Sequence, residues 1–414
     1  MKINKKIFIV DKHASSKQNG VGTFMKSMLL CMKGITGVEV NLISFNSDEK
    51  DFTICKENGC RHYRFPICNG GNMMDIGGLF WPLLRMYEDD SAENVFFVNH
   101  SPCVDLLKTL RENYRKARIV FTIHDQGWTA SLLGNKARLK EIISKRFPNK
   151  DQYKTERFCK KYFQQERRMY NFVNDVVCLS RTTRALLGDT YKIPLSKVHL
   201  IPNGYCSDTA NGEILDKSEV RKELGIRPDE KVLIFVGRTT EAKGIDELLK
   251  AFENLCKKHD NLRLVIAGEV FRFNEFSKLT RRSASRITYT GLIPKDLLNK
   301  WYAAADIGVI PSFTEQCSYT GMEMMARGLL IVTTDGNGLT DMFRDGYNAI
   351  VAEIKPQLSD NFEKVLDSAL GLDEAKRQEI CRNAKNCVQA QYSLAAMREG
   401  YRKLLTNEPE NPTI

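Results

Sequence analysis

Short apolar runs rich in β-branched and aromatic residues alternate along the chain with longer segments whose apolar positions recur at helical spacing. Strands of a parallel sheet have this character, because helices cover both faces of the sheet and leave no solvent-facing side. The strands predicted in the first half are 7–10, 38–44, 95–98, 119–123, 176–179 and 198–201. Those predicted in the second half are 232–236, 262–267, 287–289, 307–310 and 330–333.

The alternation of strands and helices predicts an α/β protein with parallel sheets. A polar segment, 203–229, separates the two sets of strands and holds one short helix signal at 218–224. We therefore expect two domains, each with an open sheet of five or six strands, and a final helix over 394–405. Ligands bind outside the carboxyl ends of the strands in such sheets, so the residues that follow each strand are the candidates for chemistry.

Composition fits a soluble globular protein, with 42% hydrophobic and 27% charged residues among 414. No run approaches the roughly 18–20 apolar residues that span a bilayer. After Lys5 and Lys6 the apolar run 7–10 ends at Asp11, which is too short for a signal peptide and predicts a first strand instead. The twelve cysteines include no C-x-x-C pair, so we expect reduced thiols and a cytoplasmic location.

The net charge of +11 is concentrated in the segment that begins at Lys136 and ends at Arg168, which carries a surplus of eight positive charges. Aromatic and aliphatic residues are interleaved with these cations. Such a segment suits an anionic membrane surface, an acidic acceptor or nucleic acid, and a solvated helical face has the same pattern. Contact with the inner face of a membrane is one expectation, and a nucleic-acid partner is disfavoured.

Two glycines, Gly20 and Gly22, follow the first predicted strand, and a helix is expected from about Met25. Glycines in such a loop let the backbone approach a phosphate, and a helix N-terminus supplies N–H groups and positive potential. Met25 stands where a third glycine would complete the dinucleotide-binding pattern, and no acidic residue ends the strand 38–44. The segment therefore predicts phosphate contact and disfavours a nicotinamide-dependent dehydrogenase.

Two cations, Arg238 and Lys243, lie in the glycine-bounded loop after the strand 232–236. Either alone is an ordinary surface cation. Placed together at the carboxyl end of one strand, they can converge on a diphosphate, the arginine as a planar fork and the lysine as a point charge.

The segment 311–328 carries two glutamates, Glu315 in the loop after the strand 307–310 and Glu323 on the first turn of the following helix. A carboxylate accepts two hydroxyl hydrogen bonds, so this pair could hold a hexose and a ribose side by side. The pattern Thr320-x-x-Glu323 also predicts a capping box, in which the glutamate closes the start of the helix.

These motifs form an ordered set with Ala267-Gly268, Tyr289-Thr290-Gly291 and Tyr302-x-x-Ala305-Asp306. In this set the chain resembles glycosyltransferase family 4, whose members are retaining enzymes of the GT-B fold, over roughly residues 5–405. Looser matches to the same family are Thr122-Ile123-His124-Asp125 and Ile201-Pro202-Asn203-Gly204. The resemblance implies two Rossmann-like, doubly wound parallel-sheet domains facing a cleft. The acceptor domain is expected at 1–210 and the donor domain at 211–390, with a helix and tail, 391–414, packing back on the first.

The resemblance also implies roles for individual residues. Donor contacts are expected from Gly20, Gly22, Arg238, Lys243, Glu315, Gln316, Cys317, Ser318 and Glu323. Among these, Glu315 would hold the sugar and Glu323 the ribose, and His124 with Glu315 would be catalytic. The acceptor side is expected to include His13, His100 and Asp125. The family often has a proline or a Phe-Gly pair where this chain has Gln316-Cys317-Ser318, which leaves the donor sugar open.

By resemblance, the reaction is transfer, with retention and without a covalent intermediate, of a hexose or N-acetylhexosamine from a nucleotide diphosphate sugar, with a UDP-sugar favoured. The acceptor would be a hydroxyl of a glycan, a lipid-linked sugar or a peptide, and no cofactor is expected beyond the nucleotide-sugar substrate. The sequence has no Asp-x-Asp metal clamp, so metal-independent transfer is expected. The alternatives are a GT-B sugar-nucleotide epimerase or hydrolase and a non-catalytic nucleotide-sugar binding protein.

Overall fold

A computed structural model of the chain describes residues 4–11, 20–66, 77–99, 103–147, 152–206, 215–270 and 272–409. The predicted acceptor-side residues His13 and His100 lie outside these residues. The chain divides into two compact units: unit 1 comprises Met1–Gly204 with Ser393–Ile414, and unit 2 comprises Tyr205–Tyr392. None of the helices in the described part of the chain is long and apolar enough to cross a membrane.

Strands and helices alternate as the apolar pattern predicts. The strands are β1 (Lys5–Asp11), β2 (Val38–Ser47), β3 (Thr53–Glu57), β4 (Cys60–Pro66), β5 (Asn94–Val98), β6 (Arg118–Thr122), β7 (Asp175–Cys178), β8 (Val198–Leu200), β9 (Lys231–Val236), β10 (Leu262–Ala267), β11 (Ile287–Gly291), β12 (Ile307–Ile310), β13 (Leu330–Thr334) and β14 (Ile350–Ala352). The helices are α1 (Gly20–Lys33), α2 (Gly77–Arg85), α3 (Val104–Asn113), α4 (Lys136–Ser144), α5 (Lys154–Met169), α6 (Arg181–Asp189), α7 (Lys217–Glu223), α8 (Ile245–Leu255), α9 (Phe273–Leu279), α10 (Lys295–Ala304), α11 (Tyr319–Ala326), α12 (Leu339–Met342), α13 (Leu358–Leu370), α14 (Glu374–Gln391) and α15 (Leu394–Thr406).

The sheet of unit 1 has the order β3-β4-β2-β1-β5-β6-β7-β8 and is parallel except for the antiparallel pair β3–β4. Eight strands exceed the five or six expected, because the hairpin of β3 and β4 was not predicted. Its strands carry many charged residues, and Arg64 on β4 bridges Glu57 (2.7 Å) and Glu49 (3.0 Å). A charged edge strand gives no continuous apolar run, so periodicity alone reads it as a loop.

Helix α15 belongs to unit 1, although it follows the whole of unit 2 in sequence. The Cys31 thiol on α1 contacts the Leu394 carbonyl at 3.5 Å, and the Arg118 guanidinium donates to the Leu404 carbonyl at 2.8 Å. The ring of Tyr401 packs edge-on against Phe97 of β5, with centroids 5.6 Å apart. The last helix therefore completes the cover of the first sheet.

The sheet of unit 2 is parallel throughout, in the order β11-β10-β9-β12-β13-β14. Its strands are the five predicted ones and β14. From β9 the chain adds strands first on one side and then, starting with β12, on the other. The strand order therefore reverses between β9 and β12, and ligands bind at such a reversal, outside the carboxyl ends of the two strands. In unit 1 the same reversal lies between β1 and β5.

Candidate functional site

The loops after β9 and β12 pack directly on each other at the carboxyl edge of the second sheet. Gly244 ends the first loop with φ +67°, and a Cβ atom there would lie 1.9 Å from the Pro311 carbonyl oxygen. The Phe313 amide donates to the Ala242 carbonyl at 3.0 Å. Glycine is required at 244 both for the left-handed backbone and for this close approach. The packing brings Lys243 next to the loop that carries Glu315.

Glu315 is held by two donors that share one of its oxygens. The Lys243 ammonium lies 2.5 Å from Oε1, and the Ser312 hydroxyl donates to the same atom at 2.9 Å. No hydrogen bond from a described residue reaches Oε2. The side chain of Arg238, in the same loop, is exposed and makes no ion pair or hydrogen bond to the described part of the chain. The site therefore offers one acceptor oxygen and one guanidinium that the described residues do not use.

A second loop, 335–338 after β13, supports the backbone of Glu315. The Glu315 amide donates to the Asn337 carbonyl at 2.8 Å. Gly338 has φ +76°, and a Cβ atom there would lie 2.1 Å from the Glu315 carbonyl oxygen. Our sequence interpretation missed this loop, although Asp-Gly-Asn-Gly directly after an apolar run is a recognisable turn signal.

Glu323 is clamped by residues from α10. The Lys295 ammonium forms an ion pair with Oε1, and the Tyr302 hydroxyl donates to Oε2 at 2.8 Å. Burial raises the pKa of Tyr302 far above its ordinary value, so its hydroxyl stays protonated and can donate. The Arg327 guanidinium lies over the Tyr302 ring, 4.7 Å from its centroid. Lys295 was not a predicted site residue, because nothing in the local pattern shows that α10 and α11 meet here.

The start of α11 corrects the predicted capping box. The N-cap is Ser318, whose hydroxyl accepts from the Gly321 amide at 3.1 Å, and the helix begins at Tyr319. Glu323 is therefore the fifth helical residue, on the second turn, and cannot close the first one. Gln316 and Cys317 precede the cap directly, at the positive end of the helix.

Asp306, which belongs to the ordered set of motifs, has a structural role: it binds residues of α7 and β9. Its carboxylate accepts from the Val232 amide at 2.7 Å and bridges Lys217 at 2.8 Å and Arg221 at 2.5 Å. Burial opposes ionisation, but these partners outweigh it and lower the pKa of Asp306. The aspartate therefore ties α7 to the start of β9. It lies at the amino ends of the strands, whereas Glu315 follows the carboxyl end of β12.

In unit 1, Gly20 and Gly22 are the first and third residues of α1, so the helix begins five residues before the expected Met25. The buried face of this helix includes Gly22 and Phe24, so the helical pattern starts on the N-terminal side of Met25. The ring of His124, just after β6, packs against Phe24 with centroids 4.2 Å apart at 67°. The structure thus brings the predicted phosphate segment and the predicted catalytic histidine together.

The loop after His124 is held in place by a hydrogen bond to Glu166 of α5. Exposed Asp125 accepts from the Thr129 hydroxyl at 2.6 Å, which shapes the turn. Beneath it, fully buried Glu166 accepts from the Gly127 amide at 2.9 Å and from the Tyr191 hydroxyl at 2.5 Å. Burial raises the pKa of Glu166 to about 7; the two hydrogen bonds lower it, but both donors are neutral and supply no counter-charge that would offset the burial. In the sequence analysis Glu166 contributes only to the net charge of the segment 136–168, and no structural role is predicted for it.

Among the described residues, no group of three or more His, Cys, Asp or Glu side chains is arranged to hold a metal ion.

Two family models match the chain, one for each half. The model for glycosyltransferase family 4 matches residues 18–208, and the model for glycosyl transferases group 1 matches residues 216–387. Both halves of the chain are therefore similar to families of sugar-transferring proteins.

Curated relatives match about half of the chain. An uncharacterized glycosyltransferase of Methanocaldococcus jannaschii is 31% identical over 222 residues, which are 53% of this chain and 56% of that protein. A lipopolysaccharide 1,2-N-acetylglucosaminetransferase of Salmonella typhimurium is 27% identical over 227 residues, 52% of this chain and 58% of that protein. The chain thus spans little more than half the length of these relatives.

Solved structures are similar over nearly the whole chain. A sucrose-phosphate synthase of Thermosynechococcus elongatus has a TM-score of 0.72 at 17% identity, covering 98% of this chain and 100% of that one. HepE of Anabaena, solved in complex with UDP and glucose, has a TM-score of 0.70 at 15% identity, covering 97% and 100%. At these identities the likeness establishes the fold.

Proposed function

Because the chain is a glycosyltransferase family 4-like protein with the GT-B fold, we propose that it transfers a sugar from a nucleotide diphosphate donor to an acceptor hydroxyl. One observation carries the proposal. At the strand-order reversal of unit 2, two carboxylates are each fixed by a lysine and a hydroxyl, and each keeps unused acceptor capacity. Pairs of sugar hydroxyls are the ligands that such oriented acceptors suit.

Glu323 would hold the ribose of the donor. A carboxylate has about four lone-pair sites, and Lys295 and Tyr302 occupy one on each oxygen, leaving one on each for the two ribose hydroxyls. Glu315 would hold the transferred sugar through Oε2, since both protein donors use Oε1. The lysine on each carboxylate would also hold it in position to accept from these hydroxyls.

Arg238 and Lys243 would neutralise the diphosphate as it leaves. Negative charge develops on the leaving group while the sugar becomes oxocarbenium-like, so cations placed in advance lower the barrier. Lys243 has one of its three N–H groups on Glu315, which leaves two for a phosphate. The start of α1, with Gly20 and Gly22, would add N–H groups for the distal phosphate, and His124 would lie beside the reacting sugar. Attack on the donor from the face of the leaving group would retain the configuration.

We favour a UDP-hexose or UDP-N-acetylhexosamine as the donor. HepE was solved with UDP and glucose, and the Salmonella relative is named for N-acetylglucosamine, which supports a donor of this class. A hydroxyl of a glycan, a lipid-linked sugar or a peptide would be the acceptor, held by unit 1. Asp125 would belong to the acceptor side together with the undescribed His13 and His100.

The proposal is tested by incubating the protein with a panel of nucleotide sugars and following slow donor hydrolysis by mass spectrometry. One UDP-sugar should release its sugar faster than the others, and Glu315→Gln should slow that release about ten- to hundredfold. Glu353→Gln, which changes a carboxylate beyond β14, is the matched control. Release of an epimer, or tight binding without any turnover of any donor, would instead favour the epimerase or the non-catalytic alternative.

We also propose that transfer needs no divalent metal, because cationic side chains supply the charge that a metal would otherwise bring. Turnover of the preferred donor should persist in excess chelator. A loss that added magnesium or manganese restores would contradict this.

We also propose that the segment from Lys136 to Arg168 makes peripheral contact with an anionic membrane. Part of the segment is already neutralised, since Arg138 bridges Glu141 at 2.7 Å and Glu156 at 3.0 Å. Sedimentation of the protein with phosphatidylglycerol vesicles at low and moderate salt tests the contact, which should weaken as salt rises.

A further inference from the structure

A groove of about 790 Å³ lies on unit 1 between α5 and the segment 191–197, within the size range of ligand clefts. Its six cationic lining residues are Lys160, Lys161, Arg167, Arg168, Lys192 and Lys197, and no Asp or Glu lines it. The basic segment supplies four of these cations, and the last two come from a loop that the sequence pattern did not connect with it. The fold thus concentrates positive charge from two elements in one concave surface.

None of the six cations forms an ion pair with another described residue. Lys197 donates to the Tyr170 carbonyl at 2.8 Å, and Asp175, whose charge acts on Lys197, is already bound by Arg118 at 2.7 Å and His199 at 2.9 Å. A smaller cavity of about 260 Å³ on α4 differs in this respect, because Arg138, which lines it, forms ion pairs with two glutamates. Charge in the groove is left for an anion from outside.

Lys192 adds an independent indication. Its backbone has φ +59°, in the left-handed region that glycine and asparagine tolerate better than lysine. Lys192 is exposed and lines the groove, and its backbone conformation costs stability, so the fold itself does not favour a lysine at this position.

We propose that the groove binds an acidic oligosaccharide, the part of a glycan acceptor that lies away from the reacting hydroxyl. The side-chain amides of Gln164, Gln165 and Asn171 line the groove among the cations and suit sugar hydroxyls. A concave surface fits a chain better than a flat bilayer. The lining tyrosines, Tyr170 and Tyr191, are buried, so nucleic-acid bases find no exposed ring to stack on.

The groove lies apart from the proposed reaction centre. Asn171 precedes β7 and Lys197 immediately precedes β8, so this part of the groove is at the amino ends of these strands. His124 follows the carboxyl end of β6. The groove would therefore retain a long acceptor without taking part in chemistry. The proposal rests on the proposed function for the expectation that the ligand is a glycan, and its test measures binding alone.

Calorimetry with hexagalacturonate, as an acidic oligosaccharide, and maltohexaose, as a neutral one, tests the groove. The wild type should bind hexagalacturonate at least tenfold more tightly, with affinity falling as salt rises. The double variant Lys161→Gln, Arg168→Gln should lose at least tenfold. Its matched control, Lys140→Gln with Arg146→Gln, removes the same charge from the same segment outside the groove and should lose less than twofold.

Lys192→Asn separates binding from folding. It should raise the thermal midpoint, because asparagine suits the left-handed backbone, and yet weaken hexagalacturonate binding several-fold. Equal affinity for the two hexasaccharides, or equal losses in the groove and control variants, overturns the proposal. The proposal is also overturned if the groove cations bind phosphatidylglycerol vesicles or oligothymidylate while hexagalacturonate does not bind. Donor hydrolysis should be unchanged in every groove variant, so a failed donor panel would overturn the proposed function and leave the groove result standing.

Discussion

Charged groups are arranged in opposite ways in the two units. In unit 2, Glu315 and Glu323 are mostly buried, and each has a lysine on one oxygen. In unit 1, helix α5 turns the fully buried Glu166 inward, where it meets only neutral donors. The same helix directs cations outward into a groove without carboxylates. The first arrangement is internally compensated, and the second is not.

The difference follows from burial and helix geometry. A carboxylate near the protein interior needs a counter-charge or it takes up a proton, because desolvation disfavours the ionised form. The residues that share a helical face with Glu166 are aromatic or apolar at positions 162, 163, 169 and 170, so no cation of α5 can reach it. Exposed cations pay little for remaining unpaired in water, so the groove can keep its charge for a ligand.

The largest effect is expected from removing the uncompensated charge of Glu166. Folding raises its pKa from 4.5 to about 7, so the protonated form stabilises the fold. This stabilisation is complete below about pH 4.5 and is lost as the pH rises through 7. Between pH 5 and 8 the wild type should lose roughly 2–3 kcal/mol of unfolding free energy relative to Glu166→Gln. Urea unfolding measures this, with Glu156→Gln on the same helix as control. Parallel pH profiles would show that Glu166 titrates normally.

Arg238→Ala tests the cation that the described residues leave unpaired in unit 2. Charge-assisted contacts are worth roughly 1.5–3 kcal/mol, so UDP affinity should fall about ten- to hundredfold by calorimetry. Lys243→Ala should lose as much and also release Glu315. Lys250→Ala removes an exposed lysine of α8 that pairs with Glu247, and should change little. Unchanged UDP affinity in both site variants would contradict the diphosphate role.

Glu315→Gln separates the sugar from the nucleotide. It removes the charge near the proposed reacting sugar, so kcat/KM for donor hydrolysis should fall about ten- to hundredfold. UDP affinity should change by less than threefold, since UDP carries no sugar for Glu315 to hold. Loss of UDP binding with normal turnover would mean that the two glutamates have exchanged roles.

Lys295→Met breaks the pairing of Glu323 while leaving the carboxylate in place. Without its ammonium, Glu323 should orient the ribose less well, and UDP affinity should fall by roughly tenfold. Affinity for 2′-deoxy-UDP should fall less, because that ligand has one hydroxyl fewer to lose. Lys300→Met on the same helix, where Lys300 pairs with Glu223, is the control. Equal losses for the two nucleotides would indicate that Lys295 acts on the fold and not on the ribose.

The smallest effect concerns the cap of α11. Ser318→Ala should cost about 1 kcal/mol of stability, because the Gly321 amide loses its acceptor. Thr320→Ala removes the residue of the mistaken capping box, and only a 3.4 Å contact from its hydroxyl to the Val236 carbonyl is lost. Denaturant unfolding of the two variants should therefore rank Ser318 above Thr320. The reverse order would restore the capping box.

Local chemistry explains why much of the fold was predictable. Five of the six strands of the second sheet are apolar runs bounded by turn residues, and the predicted helices 218–224 and 394–405 correspond to α7 and α15. The hairpin of β3 and β4 was missed because its charged strands lack an apolar face in sequence. Met25 was the wrong start for α1, because a glycine in a first turn was taken for a loop residue.

The sequence by itself determined the class of fold, the order of the motifs and the family that they resemble, because these depend on residue types at short spacings. Only the tertiary structure decided which charges meet. Lys295 reaches Glu323 across 28 positions and Lys243 reaches Glu315 across 72, whereas Glu166 is buried without a cation. Such pairings depend on which strand ends and helix faces are brought together, and local propensity carries no information about that. The roles of the paired residues remain predictions that the variants above can test.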